Sequence, residues 1–90
     1  MHRGPVEQLI GLLEAIHKFP NYPRYRVSSI AGLRLNKGYE LLEKLEKAGL
    51  VSYNTVGNGE RVVLSADGMT WLHSMKLLLN RINNGYALEL

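Results

Sequence analysis

Apolar residues recur at three- and four-residue intervals through most of this chain, and one stretch departs from that rhythm. Val6, Leu9, Ile10, Leu13, Ile16 and His17 mark an amphipathic first helix, with Pro5 near its start, where a missing N–H costs little. Phe19-Pro20-Asn21-Tyr22-Pro23 ends it, because each proline pushes its predecessor out of α geometry, leaving a rigid extended connection. A short second helix is predicted over Arg26 to Gly32, with Val27, Ile30 and Ala31 inward and Ser28 and Ser29 nearer the surface. In the third, Asn36 to Ala48, Leu41, Leu42, Leu45 and Ala48 share one side and Lys37, Glu40, Lys44 and Lys47 the other; Gly49 is its stop.

From Val51 to Ser65 the period falls to two. Asn58-Gly59 is the dipeptide favoured in a two-residue type I′ turn, since both central residues need positive φ. That turn sets Val56 opposite Arg61, Thr55 opposite Val62, Asn54 opposite Val63 and Tyr53 opposite Leu64. Tyr53, Thr55, Val62 and Leu64 then form a core-facing side, with Arg61 and Asn54 outward. A lone hairpin of this size is marginal in water, so it is expected to rest on the preceding helix. Ser65 is the expected N-cap of a last helix running to about Asn83, with Asp67 complementing its dipole and Asn83-Asn84-Gly85 ending it. Leu72, Met75, Leu79, Ile82 and Tyr86 are spaced at heptad intervals along it, widened by Trp71 and Leu78. The breadth of this stripe also suits a core-facing helix, but a three-helix core cannot cover so many large side chains, and a subunit interface is expected.

Ninety residues make one domain, small enough that oligomerisation is the expected supplement to its core. The absence of cysteine excludes disulfides and thiolate metal sites and favours a cytoplasmic setting. No apolar run approaches the roughly 20 residues that span a bilayer, and neither a signal peptide nor a membrane partner is expected. His2, His17 and His73 have no partner at ligand spacing, Gly57-Asn58-Gly59 joins strand to strand rather than strand to helix, and no Ser/His/Asp arrangement is present, so no metal, cofactor or catalysis is expected. A net charge of +3 is compatible with a polyanionic partner. Its distribution is more informative: between Ala15 and Tyr39 lie Lys18, Arg24, Arg26, Arg34 and Lys37 and no acid.

The order helix, short helix, helix, hairpin, helix now carries a resemblance. Ile30-Ala31-Gly32-Leu33, followed by Leu42-x-x-Leu45-Glu46-Lys47-Ala48-Gly49-Leu50-Val51, resembles the second and third helices of winged helix-turn-helix DNA-binding domains. Val63-Leu64-Ser65-Ala66-Asp67-Gly68-Met69-x-x-Leu72 is similar to the "LT-x-x-G-x-x-x-L" segment after the wing in archaeal regulators of this class. Over residues 6 to 82 the chain is most similar to small archaeal winged-helix regulators that dimerise through an antiparallel C-terminal helix.

The resemblance implies an α+β winged helix with a three-helix core, a two-stranded wing and a long C-terminal dimerisation helix. Residues 1–90 would form a single domain, 5–65 the winged helix-turn-helix and 66–84 the dimerisation helix. It further implies a homodimeric transcriptional regulator, not an enzyme, that binds double-stranded DNA with helix 36–48 in the major groove and wing 51–65 on adjacent backbone or minor groove. Asn36, Lys37 and Glu40 become candidate base readers. Arg34 and Lys44, the hydroxyls of Ser28 and Ser29, and Arg24 and Arg26 become phosphate or sugar contacts, and Asn58 and Arg61 serve the wing. Trp71, Leu72, Met75, Leu78, Leu79, Ile82 and Tyr86 become the dimer interface.

Two departures stand out. Gly38 lowers helix propensity by about 1 kcal/mol relative to alanine, and either permits close approach of another backbone or marks a later helix start. Glu40, Glu43 and Glu46 make the third helix less basic than a strong DNA reader, and Glu40–Lys44 and Glu43–Lys47 are the i,i+4 pairs of an ordinary solvated face. A chromatin-architectural DNA binder and a winged-helix protein–protein interaction module therefore stay open as alternatives, and Asn58 is required by its turn whatever the protein does.

Overall fold

A computed structural model of the chain describes residues 4–57 and 59–83. The elements are α1 (Pro5–Lys18), α2 (Arg24–Ile30), α3 (Leu35–Lys47), β1 (Val51–Val56), β2 (Gly59–Leu64) and α4 (Ala66–Asn83), the α+β order that the sequence predicts. Among the described residues no helix is long and apolar enough to cross a membrane.

The core forms around α1, where Leu12, Leu13 and Ile16 are fully enclosed, together with Val27 of α2, Leu42 of α3 and Val62 of β2. Pro23, extended at φ −69° and ψ 158°, is the N-cap of α2, so this helix starts at Arg24 rather than Arg26. Its inward residues also differ from expectation: Ser28 is 0% exposed and Ile30 faces solvent. Gly38 explains the exchange. A Cβ there would collide with the Ser28 hydroxyl, so α2 and α3 cross at a spacing that admits a small side chain and excludes a branched one. The close approach is why glycine stands inside α3.

The hairpin pairs Val51 with Leu64, Tyr53 with Val62, Asn54 with Arg61 and Val56 with Gly59. The turn thus falls between Val56 and Gly59 and begins at Gly57, one position earlier than predicted. Gly57 takes the left-handed conformation at φ 60°, which is free of steric cost only for glycine. Moving the turn by one residue changes every partner by two positions, so side-chain parity survives: Val51 and Val62 are buried and Tyr53 and Leu64 half-buried. The hairpin does not rest on α3 alone. The Val62 N–H donates to the Tyr22 carbonyl at 3.0 Å and the Asn21 N–H to the Val62 carbonyl at 3.1 Å, making the connection after α1 a one-residue third strand. Asn21, left-handed at φ 63°, also accepts through its side-chain carbonyl from the Asn54 amide at 3.1 Å.

α3 ends in a Schellman motif: Gly49, at φ 79°, donates to the Glu46 carbonyl at 3.0 Å and Leu50 to the Leu45 carbonyl at 2.9 Å. Ser65 grips this corner, its N–H donating to the Leu50 carbonyl at 3.0 Å and its hydroxyl to the Gly49 carbonyl at 2.6 Å. The same hydroxyl accepts the Gly68 N–H at 3.0 Å, which caps α4 as expected. Gly68 itself lies against the corner, where a Cβ would collide with the Leu50 carbonyl oxygen and lie 3.3 Å from the Leu64 side chain.

α4 carries two stripes in place of one. Gly68 and Leu72 are buried and Met75 and Leu79 pack partly on the core, while Trp71, Leu78 and Ile82 are 54, 59 and 41% exposed. Leu72, expected at the subunit interface, is 4% exposed and belongs to the core of its own chain. The two heptad series, 68-72-75-79 and 71-75-78-82, are offset by three residues, lie about 60° apart around the helix and share Met75, so periodicity alone merges them. Tyr86 lies outside the described residues. A 3.5 Å Lys76–Glu14 ion pair ties α4 to α1.

Replacing Gly68 by alanine forces α4 off the Leu50 corner. The variant is expected to lose about 1–3 kcal/mol by overpacking, despite the better helix propensity of alanine. Urea unfolding followed by circular dichroism measures this, and a midpoint equal to that of the parent would show that α4 is not seated there.

Candidate nucleic-acid interface

α3 buries Gly38, Leu41, Leu42 and Leu45. The opposite ridge, at i, i+4, i+7 and i+11, is Asn36, Glu40, Glu43 and Lys47, all exposed. Its N-terminus is open: Arg34 occupies the N-cap in extended conformation without a side-chain cap, and no acid stands in the first turn. The Asn36 carboxamide oxygen accepts the Lys37 N–H at 2.9 Å, and the positive end of the helix dipole is otherwise free to meet an anion.

Charges on α3 are locally paired. Glu40 Oε1 receives Lys37 Nζ at 3.7 Å and Lys44 Nζ at 3.5 Å, and Glu43 Oε1 receives Lys47 Nζ at 3.1 Å. Exposed pairs of this kind contribute about 0.3–0.5 kcal/mol, too little to hold a lysine against a stronger anion. Lys37 and Lys44 stand on a flank, lining an apolar recess of about 510 Å³ with Leu9 of α1, Leu41 of α3 and Trp71 and Met75 of α4. Lys37 therefore lies beside the ridge on which the other two candidate base readers, Asn36 and Glu40, stand.

The arginines of α2 are held by aromatic rings. The Arg24 guanidinium lies 4.6 Å over the Tyr39 ring and that of Arg26 lies 5.0 Å over Tyr22. Cation–π contacts at exposed sites are worth about 0.5–1 kcal/mol, and they orient the guanidinium while leaving its N–H edge available. A notch of about 500 Å³ between the start of α2 and the wing brings Arg24 and Arg61 together with Tyr25, Tyr39 and Glu60. Arg61 reaches it from the outward face of β2, where it is paired with Asn54.

Two candidate contacts fall elsewhere. Ser28, expected to offer its hydroxyl to phosphate, is enclosed beneath Gly38 and its Oγ has no hydrogen-bond partner among the described residues, so it cannot reach a ligand. Ser29 is exposed. Asn58, the wing-tip candidate, lies outside the described residues. Tyr39 and Glu43 are what the reading of the sequence missed: Tyr39 supports Arg24, and Glu43 is central to the ridge. The helical period placed Glu43 among the polar positions, but the α2–α3 crossing that sets Arg24 over Tyr39 has no local signature.

Between α3 and the wing Glu43, Glu46 and Glu60 gather around Tyr53, interleaved with Arg24, Lys44 and Lys47. Burial chiefly, then the negative charge of Glu46, raises the Tyr53 phenol above its ordinary value of 10.0; Arg24 opposes this, and Glu60 and Glu43 add to it.

Three helices, an antiparallel hairpin and a following helix in this arrangement are a winged helix. Solved structures agree on the fold. Sso10a-2, described as a DNA-binding protein from Sulfolobus solfataricus, superposes with a TM-score of 0.81 at 20% identity, over 97% of this chain and 90% of that one. The PcaV transcriptional regulator from Streptomyces coelicolor, in complex with its natural ligand, gives 0.78 at 19% identity over 91% of this chain, which spans only 60% of the regulator's length. AF1382 from Archaeoglobus fulgidus gives 0.68 at 14% identity over 86% of this chain and 85% of that one. No protein-family model and no curated protein sequence matches.

Because the folded-state pKa of Tyr53 is raised, the stability it contributes is complete below pH 10 and lost as pH rises through the folded value. Titration of tyrosinate absorbance is expected to show a component above the ordinary tyrosine range that disappears in Tyr53→Phe. If the component lost in the variant instead titrates in the ordinary tyrosine range, burial in the hollow between α3 and the wing does not raise it.

Proposed function

We propose that this protein is a homodimeric, double-stranded DNA-binding transcriptional regulator rather than an enzyme. α3 enters the major groove, the wing lies on adjacent backbone or minor groove, and α4 pairs with its counterpart in a second copy. The observation that carries the reading is the set of arginines beside the exposed ridge of α3: Arg24 held over Tyr39 and sharing a notch with Arg61 of β2, and Arg34 at the open helix N-terminus, with Arg26 held over Tyr22. These groups, with Lys44 and Ser29, contact phosphates; Asn36 and Glu40 contact base edges. The descriptions of Sso10a-2 as DNA-binding and of PcaV as a transcriptional regulator support the same role at the level of fold. An architectural role in chromatin uses the same surface without sequence choice.

Support for the dimer comes from α4. Trp71, Met75, Leu78 and Ile82 follow heptad spacing, and Trp71, Leu78 and Ile82 are left exposed by the core of one chain. A competing reading as a protein-interaction module draws on the acids of α3, but leaves the aromatic-held arginines without a task.

Anisotropy of a labelled random duplex, titrated with protein over a salt series, tests the reading. Binding is expected to weaken with salt at a log–log slope of about 0.9 per phosphate contact. Arg34→Glu with Arg24→Glu is expected to cut affinity by orders of magnitude while leaving the fold intact, and affinity unchanged in a folded double variant would take α3 and its arginine rim out of the interface. Leu78→Glu is expected to convert a dimer to a monomer in light scattering. A parent protein that is already monomeric at micromolar concentration would remove α4 as the interface.

A further inference from the structure

The ridge of α3 has the wrong chemistry for the commonest base contact, arginine or lysine on guanine. Its N-terminal two-thirds presents Asn36, Glu40 and Glu43, with Lys37 and Lys44 displaced to the flank and Lys47 in the last turn. Resting on the insertion of α3 proposed above, we propose that Glu40 and Glu43 are specificity-determining residues that read cytosine, so that each half-site carries a CC step, GG on the complementary strand.

An ionised carboxylate can only accept hydrogen bonds. In the major groove guanine shows two acceptors and thymine one acceptor and a methyl, so both repel or ignore it. Adenine sets its N6 donor beside the N7 acceptor of the same base, and cytosine alone offers a donor, N4, with no acceptor on its own major-groove edge. Glutamate facing bases therefore selects cytosine. The ion pairs make the approach to a polyanion feasible: Lys37 and Lys44 both lie on Oε1 of Glu40, and Lys47 on Oε1 of Glu43. Each carboxylate keeps an Oε2 that makes no ion pair among the described residues, while Lys37 beside Glu40 and Lys47 beside Glu43 offset part of its charge from the side when Lys44 turns to a phosphate. Three residues advance about 4.5 Å along a helix, close to the roughly 3.4 Å between successive nucleotides, so the two acids address neighbouring base pairs. Asn36, one turn earlier, has the amide that suits adenine.

The full chain is used to select duplexes from a random library at one fixed salt concentration, in parallel with Glu40→Gln and Glu43→Gln, whose folding is checked by thermal melts. The parent is expected to enrich a CC step. Each glutamine variant is expected to change one of the two cytosines to adenine, because an amide donates as well as accepts, and to bind unselected duplex several-fold more tightly as a negative charge leaves the phosphate field. Binding without sequence preference, enrichment of guanine or thymine at these positions, or one motif shared by parent and variants overturns the inference while leaving α3 as a DNA-binding element. Failure of the parent to bind any duplex at low salt instead overturns the DNA-binding reading itself, and this inference with it.

Discussion

The corner at Gly49–Leu50 is the constraint on which the rest of the molecule depends. α3 ends there, β1 departs from it, and the chain returns to it after the hairpin, when Ser65 and Gly68 close on the same two carbonyls. A helix terminus leaves several C=O groups unpaired, and here the Schellman bonds and the Ser65 contacts satisfy them within one small volume. The consequence is geometric as much as energetic. The wing is anchored at both ends, and α4 sets out at an angle fixed by an approach so close that a single methyl group would block it. In the proposed dimer the same corner transmits the position of α4 to α3, and so sets the distance between two recognition helices.

A second close approach, Gly38 over Ser28, orients α3 against α2 in the same manner. It has a cost, since the buried Ser28 hydroxyl, without a hydrogen-bond partner among the described residues, gives up about 1–3 kcal/mol of hydration. What it obtains is placement: with the two helices this near, Arg24 at the start of α2 lies over Tyr39 on α3. Two glycines in positions of poor helix propensity thus connect the packing of the core to the presentation of charge outside it.

How much of this could be read from the chain follows from the range of the interactions involved. α1, α3 and the Ser65 cap were legible because period, proline and capping chemistry act within a few residues. The wing was legible as a hairpin and mistaken in register, since Gly57-Asn58-Gly59 offers two overlapping turns and the choice depends on how Tyr22 pairs with Val62. Ser28 and Ile30 were exchanged because polarity predicts the surface only when no neighbour imposes a size limit, and Gly38 imposes one. On α4 an apolar stripe was visible, but which members serve the core and which remain outside is decided by how α1 covers it. For the candidate site, Arg24, Arg26 and Arg34 stood out by the absence of acids around them and Arg61 by the resemblance to a wing, whereas the hold of Tyr39 on Arg24 had no local signal.

The arrangement of charge accounts for a modest net excess in a DNA-binding role. In the proposed complex the cations stand at the rim, toward the phosphates, and the acids at the centre, toward the bases. Acids at the centre lower the affinity of one face for any duplex, because each contact with the wrong base leaves a carboxylate against an acceptor or near a phosphate without compensation. One such face, with a handful of phosphate contacts, binds weakly. Joining two through a rigid α4 pair converts the second contact into an intramolecular event and restores affinity only where both half-sites are correctly spaced. Weak, selective faces and a stiff dimer are therefore complementary requirements of the proposed mode of binding, and the exposed Trp71, Leu78 and Ile82 stripe on α4 is the surface proposed to meet the second.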